Sequence, residues 1–146
     1  VILAGRRIND GMGAYAAGRV IKLMTQRGIP VAGSNILILG LTFKENCPDI
    51  RNTRVVDIIK ELQGYNAHVD VYDPWVNPHE AAHEYQITPI DAPKKGHYDA
   101  VILAVAHHQY QDMGAAGIRA LCKSQSRSVL FDVKSILPKD QVDGRL

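Results

Sequence analysis

The segment Gly40-Leu-Thr-Phe-Lys-Glu-Asn-Cys-Pro-Asp-Ile-Arg-Asn-Thr-Arg54 gathers the residue types best suited to hold an anion. Lys44, Arg51 and Arg54 carry positive charge, Phe43 offers a face on which a base can stack, and a helix is expected to start at Asn52 or Thr53. Free N–H groups and the dipole at a helix N-terminus add to side-chain charge, so the phosphate of a nucleotide is the natural guest. The same residues admit a plainer arrangement, with Arg51 and Arg54 paired to Asp49 and Asp57 on a solvated surface. Gly40 stands without the companions of a Gly-x-Gly-x-x-Gly fingerprint, so dinucleotide binding of the usual kind is not expected here.

Other residues bid for chemistry. His79-Glu-Ala-Ala-His83 matches His-Glu-x-x-His, in which two imidazoles one helical turn apart bind zinc and the Glu activates water. A catalytic zinc site needs a third protein ligand, and Gln86 and Pro89 stand where the extended motif has a glycine and a histidine. The bland alternative is a pair of solvated histidines. His107 and His108 follow a buried strand and could contact a ligand, act as acid or base, or cap the next turn. Cys47 would be activated by Lys44 and Arg51, but no neighbouring histidine completes a dyad, and a structural thiol is the competing reading. Cys122, beside Leu121, and Trp75 read as packing residues.

These candidates need a frame. Ile8, Met12, Tyr15, Ala16, Val20, Leu23 and Met24 recur at three- and four-residue intervals and predict a leading helix over Gly5 to Arg27. Asn35–Gly40, His68–Tyr72, Tyr98–Val105 and Ser128–Asp132 read as strands, two of them apolar enough to be buried on both faces. Ile87–Ile90 is at best a short edge strand because of Pro89. Helices are expected over Val55–Gly64, over Pro78–Tyr85, and around Ile118–Lys123. Strands alternating with helices predict an α/β fold: a three-layer, Rossmann-like parallel sheet of about five strands, helices on both faces, preceded by the N-terminal helix. In such sheets ligands bind beyond the carboxyl ends of the strands, where Gly40–Arg54, Tyr72–Trp75, Ala106–Tyr110 and Asp132–Ser135 fall.

Composition narrows the field further. The 146 residues carry 17 Lys+Arg against 15 Asp+Glu, a balance of +2 that lacks the basic excess of a nucleic-acid binder. No apolar run reaches the ~18 residues of a membrane span. Two cysteines make no disulfide framework and suit a reducing cytoplasm. The chain starts at Val1, so a piece of a longer protein is a reasonable expectation.

The Gly40–Arg54 segment resembles the signature of the UDP-glucose/GDP-mannose dehydrogenase family at the start of its C-terminal domain. Arg7-Ile-Asn-Asp10, Val71-Tyr-Asp-Pro74 and Phe131-Asp-Val-Lys134 agree in order, so the resemblance covers essentially the whole chain. The wording around Thr42, Asn46-Cys47 and Ala106-His107 is most similar to the branch oxidising UDP-N-acetylhexosamines for polysaccharide synthesis. The resemblance implies a cytoplasmic NAD-dependent enzyme that carries the C6 alcohol of a UDP-sugar to a carboxylate, and a parent that is a homodimer or higher homo-oligomer. It implies that residues 1–30 end a helical connector and residues 31–146 form the UDP-binding domain. By the same resemblance, Phe43 lies near the uracil, Lys44 near the sugar and phosphates, and Arg51 reaches the NAD pyrophosphate across an interdomain cleft. Lys134 joins the substrate set where many relatives carry Arg, a point charge replacing a fork. The family's catalytic cysteine sits in a Gly-rich motif that neither Cys47 nor Cys122 occupies, so the chain alone is expected to be inactive, with NAD held mainly by another domain.

Overall fold

The computed structural model describes residues 2–124 and 126–145. The side chains of residues 2–10, and with them the Arg7-Ile-Asn-Asp10 motif, lie outside that description. In chain order the elements are α1 (Ile2–Gln26), β1 (Asn35–Leu39), α2 (Val55–Gly64), β2 (His68–Tyr72), α3 (Pro78–Tyr85), β3 (Ala100–Leu103), α4 (His108–Arg119), β4 (Val129–Asp132), a single 3-10 turn (Lys139–Gln141) and β5 (Gly144–Arg145). The strands form one parallel sheet in the order β2-β1-β3-β4-β5. The fold is therefore the expected α/β, Rossmann-like architecture.

Side chains alternate across a strand, so each apolar run feeds two layers. Ile36 and Ile38 of β1, Ile102 of β3 and Phe131 of β4 pack with Ala16, Val20 and Met24 of α1 and with Ile58, Ile59 and Leu62 of α2. Leu37, Leu39, Val101, Leu103 and Leu130 face the other way, onto Tyr110, Ala115 and Ile118 of α4. Helices α1 and α2 cross in direct contact. A Cβ at Gly13 would sit 2.5 Å from the Asp57 Cβ, so only a glycine permits that approach.

Three expectations change. Ile87–Ile90 forms no strand; Pro89 offers no donor, and a single bond from the Ile90 N–H to the Val71 carbonyl (2.8 Å) joins it to the sheet edge. The fifth strand is instead β5 on the opposite edge, two residues held when Asp143 accepts from the Leu130 N–H (2.7 Å) and from Arg27 (2.6 Å). The last helix lies earlier than expected, because α4 ends at Arg119, residues 120 and 121 form a turn, and Cys122 pairs with Tyr98 in an isolated parallel bridge. Tyr15, placed by spacing on the apolar face of α1, is 58% exposed.

The order of strands sets the ligand side. After β1 the chain crosses to β2 on one side, and β3 lies on the other. At such a switch point the two flanking loops diverge and leave a crevice beyond the carboxyl ends of β1 and β3.

Candidate functional site

The switch point is organised around a buried carboxylate. Asp73, the residue after β2, accepts at Oδ2 from the N–H groups of Leu41 (2.7 Å) and Thr42 (3.1 Å), the first residues beyond the β1 turn. His107 Nε2 donates to the same oxygen at 2.9 Å, and both side chains are wholly shielded from solvent. Oδ1 accepts from the Trp75 N–H at 2.8 Å, an Asx turn that carries the chain away from β2. An ionised carboxylate out of water is tolerated only when its lone pairs are filled, and here four donors fill them.

His107 extends this network to the rest of the turn. Its Nδ1 accepts from the Asn46 N–H at 2.9 Å, which assigns the ring proton to Nε2. Thr42 Oγ1 lies 3.2 Å from the same Nε2 and donates to the Lys44 carbonyl at 2.8 Å. The Asn46 side chain in turn accepts at Oδ1 from the His108 N–H (2.9 Å), capping the first turn of α4 from a different loop. Asn46 has φ 55, a left-handed conformation that asparagine tolerates. Trp75 closes the edge of the cluster, its ring centroid 6.1 Å from that of His107 and 6.0 Å from that of His108, with its indole N–H donated to Gln109 at 3.1 Å. Among the described residues, no buried side-chain nitrogen or oxygen is left without a partner.

Gly40 makes the turn possible. It has φ +105, and a Cβ there would stand 2.5 Å from the Val105 Cβ and 2.9 Å from the Val105 nitrogen. The backbone after β1 thus passes directly over that after β3.

Beyond this cluster lies a cleft of about 110 Å³ walled by Thr42, Phe43, Arg54, Val105 and Lys134, contributed by the ends of β1, β3 and β4 and the start of α2. A second depression of about 390 Å³ shares Met12, Phe43 and Arg54 as walls, so the two open side by side. Phe43 is 52% exposed, an unusual state for a large apolar ring and one that leaves its face available. A larger hollow of about 540 Å³ opens near Arg119 and Asp140 and contains none of the residues singled out by sequence.

The predicted residues therefore divide. Phe43 and Lys134, remote in sequence, meet at one cleft with Arg54. Lys44 is exposed on the adjoining turn and forms no wall of either depression. Arg51 faces a different hollow, beside Glu80, Glu84 and Tyr85. It also grips Asp49 with Nε to Oδ1 at 3.0 Å and Nη2 to Oδ2 at 3.1 Å, the ion pair that the plainer reading anticipated. That guanidinium holds the Asp49 carboxyl below its usual range. His79 and His83 lie exposed on α3, and among the described residues no group of three His, Cys, Asp or Glu side chains is placed to hold a metal. Cys122 is buried, and burial pushes its thiol up; Cys47 is half-buried, and both are free thiols. No described helix is long and apolar enough to cross a membrane.

Sequence reasoning missed Asp73 and Asn46 as organisers and left the role of His107 open. The available signal was position: an acidic residue directly after a strand on the ligand side, followed by Pro74 and Trp75.

A parallel doubly wound sheet with a cleft at its switch point defines this chain as an α/β domain of the ligand-binding kind. Residues 37–139 match the model of the UDP-glucose/GDP-mannose dehydrogenase family, UDP binding domain, and the chain belongs to that family. It is 56% identical over all of its 146 residues to UDP-N-acetyl-D-glucosamine 6-dehydrogenase of Pseudomonas aeruginosa, and 53% identical to the protein of the same name from Salmonella typhi. In both cases it spans 34% of the relative's length. The crystal structure of NDP-N-acetyl-D-galactosaminuronic acid dehydrogenase from Methanosarcina mazei Go1 shares the fold, with a TM-score of 0.83 over 95% of this chain and 28% of the other, at 21% identity.

Proposed function

We propose that this chain is the UDP-sugar-binding part of a cytoplasmic, homo-oligomeric, NAD-dependent nucleotide-sugar 6-dehydrogenase that acts on a UDP-N-acetylhexosamine in polysaccharide synthesis. The observation that carries the proposal is the meeting of Phe43, Arg54 and Lys134 at one switch-point cleft, in a chain whose family model describes UDP binding. The whole-chain similarity to two proteins named for UDP-N-acetyl-D-glucosamine supports the sugar. In this reading the uracil stacks on the exposed face of Phe43, and Lys44 and Lys134 neutralise the diphosphate as point charges.

NAD does not fit the β1 turn. The Leu41 and Thr42 N–H groups, which a dinucleotide's pyrophosphate would need there, are taken by Asp73. In this reading NAD, a hydride acceptor, is held mainly outside these residues. Arg51 is the contribution of this chain, and it exchanges Asp49 for the pyrophosphate.

Titration calorimetry with UDP, UDP-glucose and UDP-N-acetylglucosamine tests the proposal. Binding of UDP by this chain is expected, and Lys44→Ala should weaken it about tenfold or more, as loss of one charge-assisted hydrogen bond implies. Unchanged affinity in that variant would remove Lys44 from the site. Steady-state NADH formation by this chain alone would overturn the assignment of a binding role without turnover.

A further inference from the structure

We propose that His107, acting with Asp73, is a positioning residue for UDP binding: it fixes the 41–46 turn before any ligand arrives and never touches the ligand itself. The inference rests on the reading of Phe43 and Lys44 above. A βα turn at a switch point normally offers its N–H groups to an anionic guest. Here an internal carboxylate already occupies that place, because Asp73 Oδ2 holds the Leu41 and Thr42 N–H groups. His107 continues the grip by donating to Asp73 and accepting from the Asn46 N–H. Thr42 fastens the Lys44 carbonyl, a link within the turn itself. The turn is thus held at Leu41, Thr42, Lys44 and Asn46, while the Phe43 and Lys44 side chains stand exposed.

Two consequences follow from chemistry. A turn ordered in advance loses less conformational entropy when the nucleotide binds. The buried Asp73 charge also steers the diphosphate away from the backbone and toward the side-chain cations. His107 is fully buried, so its influence runs through the turn it holds.

The test compares His107→Leu with His107→Gln. Leucine fills space without polar atoms, whereas the glutamine amide keeps one donor for Asp73 and one acceptor for the Asn46 N–H. Amide hydrogen exchange on the unliganded chain reads the grip directly. Exchange at Asn46 should quicken about tenfold or more in His107→Leu, the scale of one lost hydrogen bond, with Leu37 and Ile102 unchanged. UDP affinity should fall about tenfold in His107→Leu and return to within about threefold of the parent in His107→Gln. Unchanged exchange at Asn46 in a folded His107→Leu overturns the proposal, and so does a glutamine variant as weak as the leucine one. If the parent chain binds no UDP, the functional reading fails, and exchange at Asn46 alone decides whether His107 sets the turn. Should His107→Leu not fold, exchange on the unliganded parent decides, because Asp73 and His107 hold the Leu41, Thr42 and Asn46 N–H groups before any ligand arrives. Protection of Asn46 comparable to that of Leu37 in β1 then supports the proposal, and exchange at Asn46 as fast as an exposed loop amide overturns it.

Discussion

Residues 41–46 and residues 49–54 belong to one connection between β1 and α2, yet they hold their charges by different physics. The first stretch is fastened to Asp73 and His107, two side chains with no solvent exposure. The second carries Arg51 on Asp49 in open solvent, and is tied to the body of the protein where Tyr85 donates to the Ile50 carbonyl at 2.6 Å. A buried carboxylate with all its partners in place has one workable geometry, and any lost partner exposes the full desolvation cost. An exposed ion pair is screened by salt and water and can exchange partners cheaply. Under the proposed function the contrast suits different duties: a turn proposed to present a base-stacking ring gains from rigidity, whereas an arginine proposed to reach an outside phosphate must be able to let go.

Breaking the buried half should have the largest effect. Asp73→Ala leaves four donors without an acceptor and is expected to cost about 3–5 kcal/mol, measured by urea unfolding. A loss near zero would mean that the carboxylate does not organise the turn. Gly40→Ala attacks the same region through the backbone. With φ +105 and Val105 at 2.5 Å from the new Cβ, it should cost about 2–3 kcal/mol in the same assay.

Arg51→Ala should give the smallest change. Arg51 lowers the Asp49 pKa, so the pair's contribution is present above the ordinary carboxylate range and fades as pH falls through the folded-state value. Parent and variant should therefore differ slightly in melting temperature at neutral pH and converge in acid. Molar salt should shrink the difference at neutral pH. A gap that persists in acid or salt would show that Arg51 acts through packing instead.

Much of this was legible from residue types. The apolar runs around Ile36–Leu39 and Ala100–Leu103 announced buried parallel strands, and the β1–α2 segment was marked by its cations and its aromatic ring. Phe43 could be named from the residues of the loop and Lys134 only from the family resemblance, and their meeting at one cleft depends on β4 lying beside β3, a long-range fact that local patterns do not hold. β5 was invisible because two residues carry no periodicity; its place comes from Asp143 reaching Arg27 and Leu130. His107 was ambiguous for a related reason. A histidine after a strand looks alike whether it faces a ligand or an internal carboxylate, and only the fold brings Asp73 to it.

The chain holds a single tryptophan, and the structure seats it on this network. The Trp75 N–H rests on Asp73, its ring lies beside both histidines, and its indole N–H is fixed by Gln109. These 146 residues thus carry one native chromophore of this kind, placed beside the 41–46 turn. Its emission spectrum serves as an optical gauge of the Asp73–His107 cluster, with no label to attach and no second indole to blur the signal.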